Sequence, residues 1–494
     1  MHSPKTIKIM NRFKFSVPTI KLTLTLMLGL ACNGPQLLTA QEVGDRVVVT
    51  ANFKTRIYKE EVGEVFEGSI HTIAAVQDKW CTFRDVRGWL PLQNVMSLAR
   101  AKAQFTKRIK NNPSDFAALA HRGMIHYENE DYASAFYDLD QSLKANPNNP
   151  GTWMLRGMIL KAQQKYPLAA KDFQKSIELN PELANPHFNI GLTFYAMNDA
   201  QQAIKAFNKA IELDDSKALW FVSRGSAKLA ANDRDGARAD YERAAKMDPK
   251  SADAHIGLSN LGLLENDFEL AFREADEAVE IQPKNAMALN ARGWAQFQLD
   301  KIDEAIADLS RAIRFAPKLS IAYGNRGVCY VRKNEFDQAI DDHTKHQQLD
   351  PRNPLALTNR GVAWLGKGDF AKAKSDFEAA EKLAPNLDDT LNGYAWFLAT
   401  CPDEQFRDGE LAVKKAKQAC EISKEQNWNH LDTLAAAYAE TGNFDEAVKW
   451  AEKALAVAPE NRKAVCQKQI ARFQNKKPFR SQVGKNALQG QLES

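Results

Sequence analysis

Cysteine is scarce in this chain. There are six in 494 residues, at Cys32, Cys81, Cys329, Cys401, Cys420 and Cys466, and no two form a CxxC pair. That scatter excludes a disulfide framework or a zinc ribbon, and a chain this long builds its core without such staples. Also missing are a Gly-rich phosphate loop, a nucleophile elbow and an HExxH pair, so the usual marks of an enzyme are absent and no cofactor or metal is expected. Charge of one sign is lacking too. The formal net charge is +4, but Lys5, Lys8, Arg12, Lys14 and Lys21 stand in the acid-free stretch Met1 to Ala40, and the rest of the chain carries −1. Nucleic acid demands a basic excess that displaces phosphate counterions, so that partner is excluded. Long apolar runs are limited to Leu22 to Cys32, 11 residues against the roughly 20 that span a bilayer, and no permanent transmembrane anchor is expected.

That short run has a purpose. The basic stretch leads into "LTLTLMLGLAC" and then "NGPQLLTAQ", the order of a secretory signal, with cleavage expected after Ala40. The product is expected to be exported: periplasmic, cell-envelope or secreted. A lipoprotein anchored through Cys32 is a minor alternative, because Gly29 stands where a lipobox wants an aliphatic residue.

What the chain has in abundance is repetition. Proline recurs every 34 residues at Pro113, Pro147, Pro181, Pro249, Pro283, Pro317, Pro351 and Pro385, with Asp215 in the one slot it skips. Glycine keeps the same period from Gly123 to Gly361, Ser259 being an exception, and alanine from Ala135 to Ala373. Such a period implies stacked supersecondary units. Glycine and alanine let two helices approach, and Phe173, Phe207, Tyr241 and Phe377, four after the alanine, share its face and fill the core. Short turns such as "KGDF" (Lys367 to Phe370) and "NEDY" (Asn129 to Tyr132) join the pair, and the proline ends the second helix. Each unit is therefore a helical hairpin.

These units resemble tetratricopeptide repeats over about Leu98 to Pro459, most completely in "LDTLAAAYAETGNFDEAVKWAEKALAVAP", Leu431 to Pro459. The resemblance implies a mainly α fold, a right-handed α-solenoid whose first helices line a concave groove. The chain departs from the family by placing Arg122, Arg156, Arg224, Arg292, Arg326 and Arg360 before the glycine, and these are expected to be struts between neighbouring repeats. By the family's groove slots, the candidate partner-binding residues are Tyr127, Phe188, Tyr195, Trp294, Phe297 and Trp396, with Asn189, Asn325 and Asn359 as backbone-bonding candidates two before a glycine. The family's clamp of basic residues around a terminal carboxylate is not reproduced.

Pro385 and Pro459 are 74 apart, six more than two periods, and the excess falls in "TCPDEQFRDGE", Thr400 to Glu410. Cys401 and Cys420 fall at opposite ends of a helix there, about 12 residues at 1.5 Å each, too far to pair. With "RDG" and "LDTLAAAYAE", this unit is similar to a variant repeat of exported planctomycete proteins. Before the repeats, "RVVVTA", "TRIY", "GSIHTIAAV", "KWCTF" and "GWLP" read as about five strands and resemble a bacterial Src-homology-3-like barrel, resting on Trp80, Gly88, Trp89 and Pro91. The expected domains are a signal peptide at 1–40, the barrel at 41–98, a solenoid of about ten units at 99–466 with an insertion at 400–410, and a polar tail at 467–494.

The pairs His121/His126 and His343/His346 are the nearest thing to metal ligands, but His343 and His346 fall in slots that face the partner helix, and packing is expected. Function must then come from surface. The expectation is a non-catalytic scaffold holding a protein or peptide in the groove. The alternative is a cell-envelope adaptor whose barrel binds wall or glycan polymer through Trp80 and Trp89 while the repeats space or oligomerise it.

Overall fold

The computed structural model describes residues 46–49, 53–57, 60–65, 70–77, 80–83, 89–91 and 95–484. The signal segment lies outside them. Seven strands are described: β1 (Arg46–Val49), β2 (Phe53–Ile57), β3 (Glu60–Val65), β4 (Ile70–Gln77), β5 (Trp80–Phe83), β6 (Trp89–Pro91) and β7 (Val95–Ser97). They pair antiparallel in the order β3-β2-β6-β5-β4-β1-β7, so the five strands expected from the sequence are joined by β3 and β7.

Helices follow in two compact units, Met1–Met247 and Asp248–Ser494. The first holds α1 (Leu98–Asn111), α2 (Phe116–Glu128), α3 (Tyr132–Ala145), α4 (Pro150–Ala162), α5 (Tyr166–Leu179), α6 (Ala184–Ala196), α7 (Ala200–Leu213), α8 (Ala218–Ala230) and α9 (Arg234–Met247). The second holds α10 (Ala252–Glu265), α11 (Phe268–Ile281), α12 (Ala286–Gln298), α13 (Ile302–Phe315), α14 (Ser320–Arg332), α15 (Phe336–Leu349), α16 (Pro354–Lys367) and α17 (Phe370–Leu383). It continues through α18 (Asp388–Thr400), α19 (Gly409–Ile422), α20 (Trp428–Glu440), α21 (Phe444–Val457) and α22 (Glu460–Gln474). From α2 to α21, even-numbered helices are the first of each hairpin and odd-numbered ones the second.

The repeated marks act as the sequence suggests. A Cβ on Gly157 would meet the Phe173 ring at 2.8 Å, and one on Gly191 would meet Phe207 at 2.7 Å. Phe173, Phe207, Tyr241 and Phe377 are fully buried in those seams. The turn carries a mark the composition did not announce. Glu130, Gln164, Asn198, Asn232, Asn266, Asp300 and Asn334 all adopt φ of 60–64°, the left-handed conformation that closes the first helix, and Gly368 and Gly442 take the same role. Where an aspartate follows, as at Asp131 or Asp369, it caps the second helix by accepting from a backbone N–H three residues ahead, whereas Lys165, Lys301 and Glu335 hold that place without a side-chain cap. The second helix ends in extended backbone before the proline, as at Asn146, φ −144°.

The arginines are struts chiefly within their own hairpin, and only the Nη1 atom reaches the neighbouring repeat. Arg156 donates Nε and Nη2 to the two carboxylate oxygens of Asp172 at 2.7 and 2.9 Å, and Nη1 to Asp140 in the preceding hairpin at 3.1 Å. Arg122, Arg224, Arg292, Arg326 and Arg360 repeat the fork onto Asp138, Asp240, Asp308, Asp342 and Asp376, each 16 residues on. Planar guanidinium suits this two-oxygen contact. Where the period puts Ile190 or Leu258 in place of arginine, the partner slot holds Ala206 or Glu274 instead of aspartate. Glu274 then pairs with His255 at 2.9 Å.

Candidate functional site

In the first unit, the candidate groove residues are mostly engaged within the stack. Phe188 is 1% exposed and stacks on Trp220 at 5.2 Å, a core position. Asn189 is buried: its Oδ1 accepts from Lys161 Nζ at 2.8 Å and its Nδ2 donates to the Asn185 carbonyl at 3.0 Å. Burial lowers the Lys161 ammonium to about 8. Tyr127 is half-buried against Tyr132 at 5.8 Å, and half-buried Tyr195 has its phenol pushed up to about 12 by burial.

In the second unit, Trp294 is half-buried and stacks on buried Phe297 at 4.8 Å, over which the Arg332 guanidinium sits at 5.7 Å. Asn325 donates to Asn290 Oδ1 at 3.0 Å, tying adjacent first helices, and Asn359 is half-buried. Phe188, Phe297 and Trp396 are therefore not open anchors; neighbouring helices or chain cover them. What covers Trp396 was not foreseen. After α22 the chain turns back, and Phe479 packs on Trp396 with ring centroids 5.2 Å apart. Arg480 Nη2 meets the Glu440 carboxylate, at the end of α20, at 2.6 Å. Ser481 donates its backbone N–H to the Thr400 carbonyl at 2.8 Å, and its hydroxyl lies 2.8 Å from that of Thr400. Gly484 donates to the Gly366 carbonyl at 2.9 Å.

Thr400 and Gly366 lie at the C-terminal ends of α18 and α16, where backbone carbonyls have no intrahelical donor. A segment without helix or strand, crossing the ends of these first helices, supplies those donors. The stretch expected to be a polar tail thus has helix to Gln474 and a docked segment as far as Gly484. The aromatic and small residues of "PFRS", Pro478 to Ser481, were the available signal.

Three other features bear on chemistry. Asp432 occupies a first-helix slot on α20, is 1% exposed, and neither carboxylate oxygen has a hydrogen-bond partner. Burial pushes its carboxyl up to about 7. His343 takes the place of the core aromatic: a Cβ on Gly327 would meet its ring at 2.6 Å, and burial lowers the imidazole to about 3. His346 Nε2 lies 3.2 Å from Asn353 Nδ2, while both His343 nitrogens and His346 Nδ1 are buried without a hydrogen-bond partner, so the two rings pack in the core but are not satisfied there. No group of three or more potential ligands is found among the described residues. His121 is likewise buried, against Phe105, while His126 meets Asp131 at 3.0 Å. Cys401 and Cys420 are separate buried thiols. Trp80 and Trp89 lie in β5 and β6, and their side chains lie outside the described residues.

No curated protein matches the chain. Among solved structures it is similar to a tetratricopeptide repeat protein from Parabacteroides merdae, at 16% identity over 50% of this chain and 98% of that one, TM-score 0.44. It is also similar to yeast Tom70, at 15% identity over 73% and 96%, TM-score 0.39, and to YrrB, titled a TPR protein with an unusual peptide-binding site, at 26% identity over 38% and 97%, TM-score 0.29. The tetratricopeptide repeat family matches at residues 97–150, 184–217, 222–286, 265–320, 290–344, 330–388 and 431–461, and the closely named TPR repeat at 157–198. With the hairpin seams, left-handed turns and 34-residue period all in place across these ranges, the chain belongs to the tetratricopeptide-repeat family.

Proposed function

We propose that the protein is a non-catalytic scaffold that holds a polypeptide against the first helices of its repeats, outside the cytoplasm. The observation that carries this reading is the docked segment itself. A non-helical segment already lies on the ends of α16 and α18 through backbone hydrogen bonds from Ser481 and Gly484, so these helix ends accept a polypeptide backbone. Repeats of this kind are quasi-linear stacks whose regular faces suit extended ligands. Export is supported by the signal-like order of Met1 to Ala40, and the strands between residues 46 and 97 are assigned to a small Src-homology-3-like barrel acting as a second contact module.

The test is photocrosslinking in the source cells. A photoreactive phenylalanine analogue replaces Trp294 on the first-helix face, and in a second strain Lys345 on the second-helix face. Polypeptide adducts from position 294 and none from position 345 are expected, on a chain whose N-terminus is Gln41. Adducts with wall polymer alone, or equal adducts from both positions, would refute the scaffold reading and turn attention to the strands.

A further inference from the structure

The segment after α22 says what the face accepts. Phe479 rests on Trp396 and lies under the Arg472 guanidinium at 5.0 Å. Arg480 meets Glu440, which also accepts from Arg407 Nε at 2.8 Å. A carboxylate at a helix C-terminus faces the negative end of the helix dipole, so Glu440 gains from each cation brought to it. Ser481 is 3% exposed and doubly bonded to Thr400, yet Val483 only two residues on is 51% exposed. The side-chain hold on the segment is therefore concentrated in Phe479, Arg480 and Ser481, with the backbone bonds of Ser481 and Gly484 beside it. It is also incomplete: Trp396 is 1% exposed and its indole N–H has no acceptor.

We infer that Trp396, Thr400 and Glu440 form a recognition site for an extended polypeptide bearing an aromatic residue, an arginine and a small hydroxyl residue in succession, and that Phe479–Ser481 is its resident competitor. This rests on the scaffold reading above. An incoming chain makes the same three contacts and can add an acceptor for the Trp396 N–H, which the resident leaves unpaired. Because the resident is tethered, its effective concentration is high, and a partner's apparent affinity is reduced by the fraction of sites left open.

The experiment uses the full chain and a labelled peptide, KKPFRSQVG, copied from Lys476 to Gly484. Arg480→Glu, which sets two acids against each other, and Ser481→Pro, which removes the N–H given to Thr400, each release the resident; circular dichroism verifies that the helices persist. Both variants are expected to bind the peptide at least about tenfold more tightly than the wild type. A peptide with glutamate for its arginine should not bind, and Glu440→Gln in the Arg480→Glu background should abolish the gain. In the wild type, amide exchange at Ser481 should be slower than at Val483. Equal peptide affinity in wild type and variants, no binding to any of them, or an unprotected Ser481 amide would overturn the inference. If crosslinking at position 294 still yields polypeptide adducts in that event, the scaffold reading stands and only the recognition site falls.

Discussion

Arg360 offers the sharpest test of what holds the two helices of a repeat together. It stands on α16 and donates to both oxygens of Asp376 on α17, at 2.7 and 2.6 Å, and to Thr344 Oγ1 on α15 at 3.2 Å. The side chains of the ion pair are only 20% and 10% exposed. The hydrogen bonds it donates to Asp376 hold the guanidinium above its ordinary value. Arg360→Ile deletes the fork and leaves Asp376 a carboxylate with little water and no cation. Breaking a pair so buried costs about 3–5 kcal/mol, and the partial exposure here argues for about 3. The same chain shows the remedy, because the Ile190/Ala206 combination fills these slots with apolar groups. Arg360→Ile with Asp376→Ala is expected to lie within about 1 kcal/mol of the wild type, about 2 kcal/mol more stable than Arg360→Ile alone. Urea unfolding reports the midpoints, and hydrogen exchange in α16 and α17 reports the local loss, since repeat arrays open in parts. A double variant as unstable as Arg360→Ile would refute the view that the stranded aspartate, and not lost packing of the arginine stem, sets the cost.

Other outcomes are expected from the same geometry. Gly157→Ala drives a methyl to 2.8 Å from the Phe173 ring and should cost about 1–3 kcal/mol in urea unfolding; no change would mean that the seam yields freely. Gln164→Gly, at φ 60°, should stabilise by about 0.5–1 kcal/mol because glycine adopts the left-handed turn without strain, and a loss would refute the turn geometry. Asp432 has a folded pKa of about 7, above its ordinary 3.8, so the native state holds that proton more tightly and stability falls as pH rises between those values. The loss amounts to about 4 kcal/mol by pH 8 and is absent below pH 4. Asp432→Asn should remove this part of the pH slope, measured as the difference between urea midpoints of variant and wild type. Parallel slopes would show that the carboxyl finds a partner in solution.

Much of the hairpin was legible because its marks are local. Glycine against aromatic, alanine against helix, and proline after the second helix recur at fixed offsets, and each works over one or two helical turns. The arginines are legible as struts, and their partners lie in the same pattern, since aspartate recurs 16 residues later and disappears wherever arginine does. The left-handed turn was harder to read, since glutamate, glutamine, asparagine and aspartate all fill it and share only a tolerance for that backbone. The groove was the least legible part. A first-helix slot is the same in sequence whether its side chain meets solvent or another segment, and Phe188, Phe297 and Trp396 are all covered.

The sequence by itself determined the repeating unit, its close-packed seam and its family, because those depend on contacts between residues at fixed separation along the chain. Tertiary structure alone decided that Phe479, Arg480 and Ser481 lie on α18 and α20. Ser481 meets Thr400 across 81 residues, and no local period encodes a contact that exists only after the intervening hairpins have stacked and left helix-end carbonyls without donors.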